Sequence, residues 1–284
     1  MEDALQLFDR LGDDLGLAKA WRARAYAHWK VGRLTDAEKA CRHAIAFARQ
    51  AGDERLQAVS VSSCCFIMFW GPKHFDEVER EVREALEWAR SRGIRRLEVD
   101  ALHILARISG MKERFREARV LLREAEDLEK QAEAGEASDL LVLVGKYLSR
   151  ALVELMADEP AAAERVLRRS RREVTHLQGT GQLHPVTILL ARALLMQGRD
   201  EEAMQQTREC ERLAPQSHRD AQVKWRAIRA LLLARRGELD TAERMAAEAI
   251  AMTADWQQDD STAEVEADLA HVLRLAGKGD ESRQ

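Results

Sequence analysis

Small residues recur in this chain in three columns that keep step with one another, a pattern that few folds accommodate. The first column is Ala37, Val78, Ala118, Ala163, Ala203 and Ala242, at successive spacings of 41, 40, 45, 40 and 39 residues. Seven residues beyond each stands another small side chain: Ala44, Ala85, Ala125, Ser170, Cys210 and Ala249. Twelve residues before each stands a third, Ala25, Ala106, Ala151, Ala191 and Ala230, with Phe66 the exception. A small side chain lets two helical backbones approach closely. Such columns therefore mark where the two helices of a hairpin cross and where the next hairpin leans on them. Composition points the same way. The 284 residues are 46% hydrophobic but only 5% aromatic, 33% charged, and include four prolines. That is the profile of a chain helical throughout.

Turn signals punctuate the helices. Gly32, Gly71-Pro72, Gly198 and Gly237 fall where a helix must stop and where φ can turn positive at no steric cost. In the fourth unit Asp158-Glu159-Pro160 replaces the glycine, read as an acidic cap followed by a proline in the first helical turn. First helices are expected at Leu15–Val31, Glu54–Trp70, Arg96–Lys112, Ser138–Ala157, Leu183–Gln197, Ala221–Arg236 and Thr262–Ala276. Second helices are expected at Thr35–Ala51, Asp76–Arg92, Arg116–Ala132, Ala161–Leu177, Glu201–Leu213 and Thr241–Thr253. The fold class expected is all-α: a right-handed superhelical solenoid of helix-turn-helix repeats with a period of about 40 residues. It would form one domain over residues 1–284, with a longer hairpin connection through Gln131 to Ser138.

The ends continue the pattern. Ala4 to Asp13 (ALQLFDRLGD) aligns with Ala44 to Asp53 (AIAFARQAGD), and Gly277 to Gln284 falls where another second helix would begin. The expectation is a segment of a longer polypeptide, with a short capping helix at the start as the alternative.

Paired helices with small residues in these columns, Trp21 early in the first helix and Gly32 in the turn resemble the tetratricopeptide repeat. The standard repeat is about 34 residues, so the helices here are longer by a turn or so. This longer variety resembles the repeats of large bacterial signalling proteins. There they follow an NTPase module and an effector, either a class III adenylate/guanylate cyclase or a DNA-binding transcription activator. Val186 to Glu209 and Val223 to Met252 carry the closer likeness, with LAHVLRLAGK near the end. The resemblance implies a regulatory module attached to an effector. No cyclase or NTPase residues are present, so no catalytic role carries over.

Catalytic and metal patterns are absent from the sequence. The Gly277-Lys278 pair lacks the leading glycine and the hydroxyl of a phosphate loop. Gly179-Thr180-Gly181 joins two helices rather than following a strand. The eight histidines are scattered, with no His-Glu-x-x-His, and Cys41, Cys64, Cys65 and Cys210 follow no ligand spacing. The cysteines read as reduced, buried residues of a cytoplasmic protein. Arg168, Arg169, Arg171 and Arg172 form a short basic run among glutamates, a solvated helix face rather than a nucleic-acid stripe. The net charge of −4 and the lack of a long apolar run lead to an expectation of no nucleic-acid partner, no membrane association, no cofactor and no enzymatic activity.

What is left is surface. In solenoids of this class first helices line the concave side and second helices the convex side. The inward positions are Arg22, Tyr26, Trp29 and Lys30, then Ser63, Ile67 and Trp70, then His103 and Arg107. Leu148, Leu152, Arg192, Leu231, His271 and Arg274 follow. Aromatic and arginine side chains dominate binding hot spots. The mainly positive groove on a net-negative chain suits an acidic or carboxylate-bearing segment. The expected function is non-catalytic recognition of a protein or peptide, or of another domain of the same polypeptide. Homodimerisation and small-molecule sensing are the alternatives. Trp29, Ile67 and Trp70 are also of a type that packs between hairpins, while Arg22 and Arg107 are expected to have no use in a core.

Overall fold

The computed structural model of the chain describes residues 2–131, 140–177, 183–216, 218–253 and 259–275, and every regular element among them is an α-helix. The helices fall into two compact units. Unit one holds α1 (Glu2–Leu11), α2 (Asp14–Lys30), α3 (Leu34–Gln50), α4 (Glu54–Phe69), α5 (Phe75–Arg92), α6 (Arg95–Met111) and α7 (Phe115–Gln131). Unit two holds α8 (Leu140–Met156), α9 (Pro160–His176), α10 (Leu183–Met196), α11 (Asp200–Leu213), α12 (Arg219–Arg235), α13 (Leu239–Ala251) and α14 (Asp259–Leu275). The helices lie where the repeat places them, with ends displaced by less than one turn. The longer connection expected after Gln131, the Gly179-Thr180-Gly181 loop and the final segment from Gly277 lie outside the described residues.

Packing follows the small columns. Ala37, Val78, Ala118, Ala163, Ala203 and Ala242 are all 0% exposed, and the column seven residues on is buried at every position. In the third column the five alanines are buried, whereas Phe66 is half-buried at the edge of the core. All four cysteines are buried free thiols, and burial pushes the Cys65 and Cys210 thiols up. They serve as small apolar side chains. First helices pack directly beside one another, α2 with α4, α4 with α6, and α10 with both α8 and α12.

Caps and turns set the hairpin ends. Asp13 and Asp53 each accept a 2.8 Å bond from a backbone N–H in the first turn of α2 and α4. The turn position five residues before the first small column is left-handed in five units: Gly32, Glu113, Asp158, Gly198 and Gly237, with φ of 77°, 58°, 55°, 69° and 82°. Pro160 does open α9. The acidic residue expected beside it, Glu159, does stand at the cap position, but its side chain makes no capping bond, and Asp158 forms the left-handed turn.

Second helices are tied together by a repeated ion-pair hub that pattern-reading passed over. The residue after the first small column is glutamate in four units, Glu38, Glu79, Glu164 and Glu243, and the first three of these have an arginine four residues on. Each of those three pairs with that arginine and with a cation from the next first-helix turn. Glu38 meets Arg42 at 2.7 Å and Lys73 at 3.0 Å. Glu79 meets Arg83, Lys112 and Arg114 at 2.7, 2.6 and 2.8 Å. Glu164 meets Arg168 and Arg199, both at 2.7 Å. Burial opposes the charge of Glu79, but hydrogen bonds from Lys112, Arg83 and Arg114 outweigh it and hold its pKa at about 2.

Two predictions follow from these contacts. Glu113 adopts a left-handed conformation that costs a side-chain-bearing residue about 1–2 kcal/mol, part of which glycine's larger unfolded-state entropy offsets. Glu113→Gly should therefore raise stability by about 0.5–1 kcal/mol, read as a higher urea midpoint; a lower midpoint contradicts the turn assignment. Glu79→Gln should cost about 1–2 kcal/mol at neutral pH, between the values for exposed and buried pairs. Because folding lowers this carboxyl's pKa from 4.5 to about 2, its contribution is full above the unfolded pKa and is lost as the pH falls through the folded one. The urea midpoints of wild type and variant should converge across that acid window. A gap that persists at its acid end would exclude the carboxylate as its source.

Candidate functional site

The first-helix face of unit one carries an aromatic ladder built from α2, α4 and the turn after α4, and joined at its inner end by the first residue of α5. Two of its members, Tyr26 and Trp29, come from one face of α2, their rings 5.6 Å apart. The Lys30 ammonium sits 5.6 Å from the Tyr26 ring and 5.4 Å from the Trp29 ring, within range of a cation–π attraction. Trp29 meets Phe66 of α4 edge-on at 5.8 Å, and Phe66 meets Trp70 at 6.4 Å. Trp70 then packs on Phe69 at 5.0 Å, and Phe69 on Phe75 at 5.9 Å. Tyr26 stands 58% exposed; Arg22 and Lys30 are exposed beside it, and Trp29 and Trp70 are half-buried. The result is an aromatic surface anchored in the core at one end and rimmed by two solvated cations.

Thus the structure brings together four of the expected residues, Tyr26, Trp29, Lys30 and Trp70, and places Arg22 one turn before Tyr26. It gives several others different work. Ile67 is 4% exposed and belongs to the core. Ser63 donates its hydroxyl hydrogen to the Val59 carbonyl at 2.9 Å. His103 lies 3.3 Å from Glu129, with Nε2 toward the carboxylate. The expectation that Arg107 has no core use is overturned: it is 6% exposed, with its guanidinium 5.6 Å from the Phe69 ring. Burial lowers its pKa to about 10, which leaves it charged at neutral pH. Its long stem lets it pack as an apolar residue and hold its charge against an aromatic face. In unit two, Arg192 is paired with Asp268 at 2.6 Å, and Arg274 is exposed on α14.

Phe66, Phe69 and Phe75 are the members that sequence reasoning missed. The signal was there for Phe66: it is the one bulky residue in a column of alanines, and its ring bridges Trp29 and Trp70. Elsewhere the basic run on α9 behaves as a solvated helix face, since Arg168, Arg169 and Arg171 pair with glutamates. Among the described residues no group of histidine, cysteine and carboxylate side chains could hold a metal ion, and no helix is long and apolar enough to cross a membrane.

No family model matches the sequence, and no curated protein matches it. Among solved structures, the chain resembles the Rap protein in complex with Competence and Sporulation Factor. The TM-score is 0.65 at 16% identity, covering 93% of this chain and 77% of that one. It also resembles BtubC (BKLC) from P. vanneervenii, with a TM-score of 0.57 at 17% identity, covering 74% of this chain and 87% of that one. A tetratricopeptide repeat protein from Parabacteroides merdae ATCC 43184 aligns with a TM-score of 0.44 at 13% identity, covering 90% of this chain and 99% of that one. At these identities the likeness is one of fold. The protein has an all-α, tetratricopeptide-like helical-repeat fold.

Burial of Arg107 has a direct consequence. Arg107→Glu would place a carboxylate against Phe69 in the core, and should destabilise the fold by about 3 kcal/mol or more. The measurement is the urea midpoint with helicity followed by circular dichroism; an unchanged midpoint would return Arg107 to the surface.

Proposed function

We propose that the protein is a non-catalytic recognition module that binds an acidic peptide or protein segment on the first-helix face of unit one. The observation that carries this reading is the exposed cluster of Arg22, Tyr26 and Lys30 on α2, backed by the ladder from Trp29 to Trp70. An aromatic surface held rigid by edge-to-face contacts loses little entropy on binding, and it offers apolar area next to directed charge. On a chain of net charge −4, the two solvated cations select for a carboxylate and steer its approach. The ligand such a face suits has an acidic residue beside a leucine or aromatic side chain. The Rap structure, solved in complex with Competence and Sporulation Factor, supports recognition as a use of this fold. On this reading the whole chain acts as one repeat domain, and occupancy of the face controls an effector attached to it.

The test is selection from a phage-displayed library of random short peptides. Enriched sequences should carry Asp or Glu beside an apolar residue, and their affinity should fall with added salt. The double variant Arg22→Glu, Lys30→Glu changes only exposed residues, so helicity and unfolding midpoint should be unchanged while affinity drops at least roughly tenfold. Peptides that bind the variant as well as wild type would refute the assignment of this face.

A further inference from the structure

The outer face of α7 departs from the other second helices at three positions. Two residues before the first small column those helices carry Thr35, Asp76, Ala161, Glu201 and Asp240, whereas α7 carries Arg116. Two residues after the column they carry Lys39, Arg80, Arg165, Gln205 and Arg244, whereas α7 carries Val120. Between these two, Arg119 stands where Glu38, Glu79 and Glu164 form hubs. Arg123 therefore lacks the carboxylate four residues earlier that holds Arg42, Arg83 and Arg168.

Arg116, Val120 and Arg123 fall at i, i+4 and i+7 and are all exposed, while Ala118, Leu122 and Ala125 are buried on the opposite side of the helix. Val120 is 47% exposed. Neither Arg116 nor Arg123 has an ion-pair partner among the described residues. The stripe begins at an open concavity of about 560 Å³, lined by Glu113, Arg114, Phe115, Arg116, Glu117 and Val120. Of its two carboxylates, Glu117 is paired with Arg83 and Arg114, and Glu113 is exposed in the left-handed turn. None of the three departures helps α7 to fold. A cation in the first turn opposes the positive end of the helix dipole. Valine is a poorer helix former than arginine or lysine, and an exposed one gains little from burial. Residues that break a local rule with no return inside the chain mark places where function has set the choice.

We propose that the outer face of α7 docks an acidic helical segment of a partner protein, with an apolar side chain set against Phe115 and Val120 and a carboxylate on each of Arg116 and Arg123. The two arginines stand two turns apart, about 10 Å along the helix axis, so carboxylates seven residues apart on the partner reach both. A guanidinium fork can take a carboxylate through two parallel hydrogen bonds, and the apolar contact between the two pairs excludes water from them. Charge complementarity on a helix of this kind sets partner choice more than raw affinity. A nucleic-acid backbone is the poorer fit, because Glu113 and Glu117 stand in the concavity and the chain is net negative. The inference stands apart from the recognition reading of the first-helix face, which uses other residues.

Fluorescence anisotropy of the full chain with a labelled alanine-based helical peptide tests the docking. The peptide carries two glutamates seven residues apart and a leucine four residues after the first. It should bind wild type with an affinity that falls as salt is added, and should lose binding when both glutamates are replaced by glutamine. Arg116→Glu with Arg123→Glu should weaken binding at least roughly tenfold, whereas Arg22→Glu with Lys30→Glu should leave it unchanged. Arg116→Ala, which removes the cation from the helix N-terminus, should leave the urea midpoint equal or higher. No binding to wild type, binding that survives the α7 double variant, or binding lost only with the Arg22 and Lys30 changes would each overturn the assignment. A lower midpoint for Arg116→Ala would give that arginine a structural role and remove the ground for the proposal. A single-stranded oligonucleotide that competes the peptide off α7 would replace a protein partner with a nucleic acid, and so overturn it too. The α7 variants leave Arg22 and Lys30 intact, so failure here leaves the recognition result standing.

Discussion

The close approach of helices at Ala37, Val78, Ala118, Ala163, Ala203 and Ala242 is the contact on which the other features of both units depend. With no exposed surface at any of the six, the backbones at each crossing meet with almost no side chain between them, and adding a methylene there would force strain into a dense interior. That fixes the hairpin, and the hairpin fixes which side chains point where. First helices then lie directly against one another, and second helices are left to be joined by longer side chains. The Glu38, Glu79 and Glu164 hubs do this joining, each linking its own helix to the turn of the next hairpin. Apolar contact brings the helices together without regard to register, and the hubs add direction, since an arginine four residues on and a cation from the next turn can meet one carboxylate in only one alignment.

This division of labour explains what the sequence could and could not show. Helix positions, turns and the buried columns were legible because they repeat: each is a local property copied six times, and coincidence does not copy. The left-handed turn at Glu113 was half-legible, since the period fixed its position while no turn residue marked it, whereas the turn at Asp158 was legible from Asp158-Glu159-Pro160. The fates of Arg107 and Arg192 were not legible. Each depends on a partner far along the chain or on burial from a neighbouring helix, Phe69 in one case and Asp268 in the other. A cation at an inward position looks the same in sequence whether it faces water, a ring or a carboxylate.

The candidate site shows the same logic from the other side. In α4 the repeat is broken at one position, where Phe66 replaces a small residue, and the ladder forms around that break. A bulky ring in a column meant for close approach cannot be swallowed by the crossing, so it stays half-buried at the core's edge and presents an edge to Trp29 and to Trp70. Departures from a repeat thus carry more information about surface chemistry than the repeat does, because they are the positions where neighbour-to-neighbour packing did not dictate the residue.

The position after the third small column makes the point across both units. It holds Tyr26, Ile67, Arg107, Leu152, Arg192 and Leu231, and no two neighbours share a chemical type. Tyr26 is in water, Ile67 and Leu231 are in the core, Arg107 is buried near a ring, and Arg192 is paired with a carboxylate. The alanines beside these residues hold the backbone in the same place each time, so the column can vary without disturbing the crossings. A single fold can therefore present an aromatic surface in one unit and a carboxylate-binding arginine in the other. Substitutions in this column alter the surface where the side chain is solvated, as at Tyr26, and alter stability where it has been drawn inward, as at Arg107.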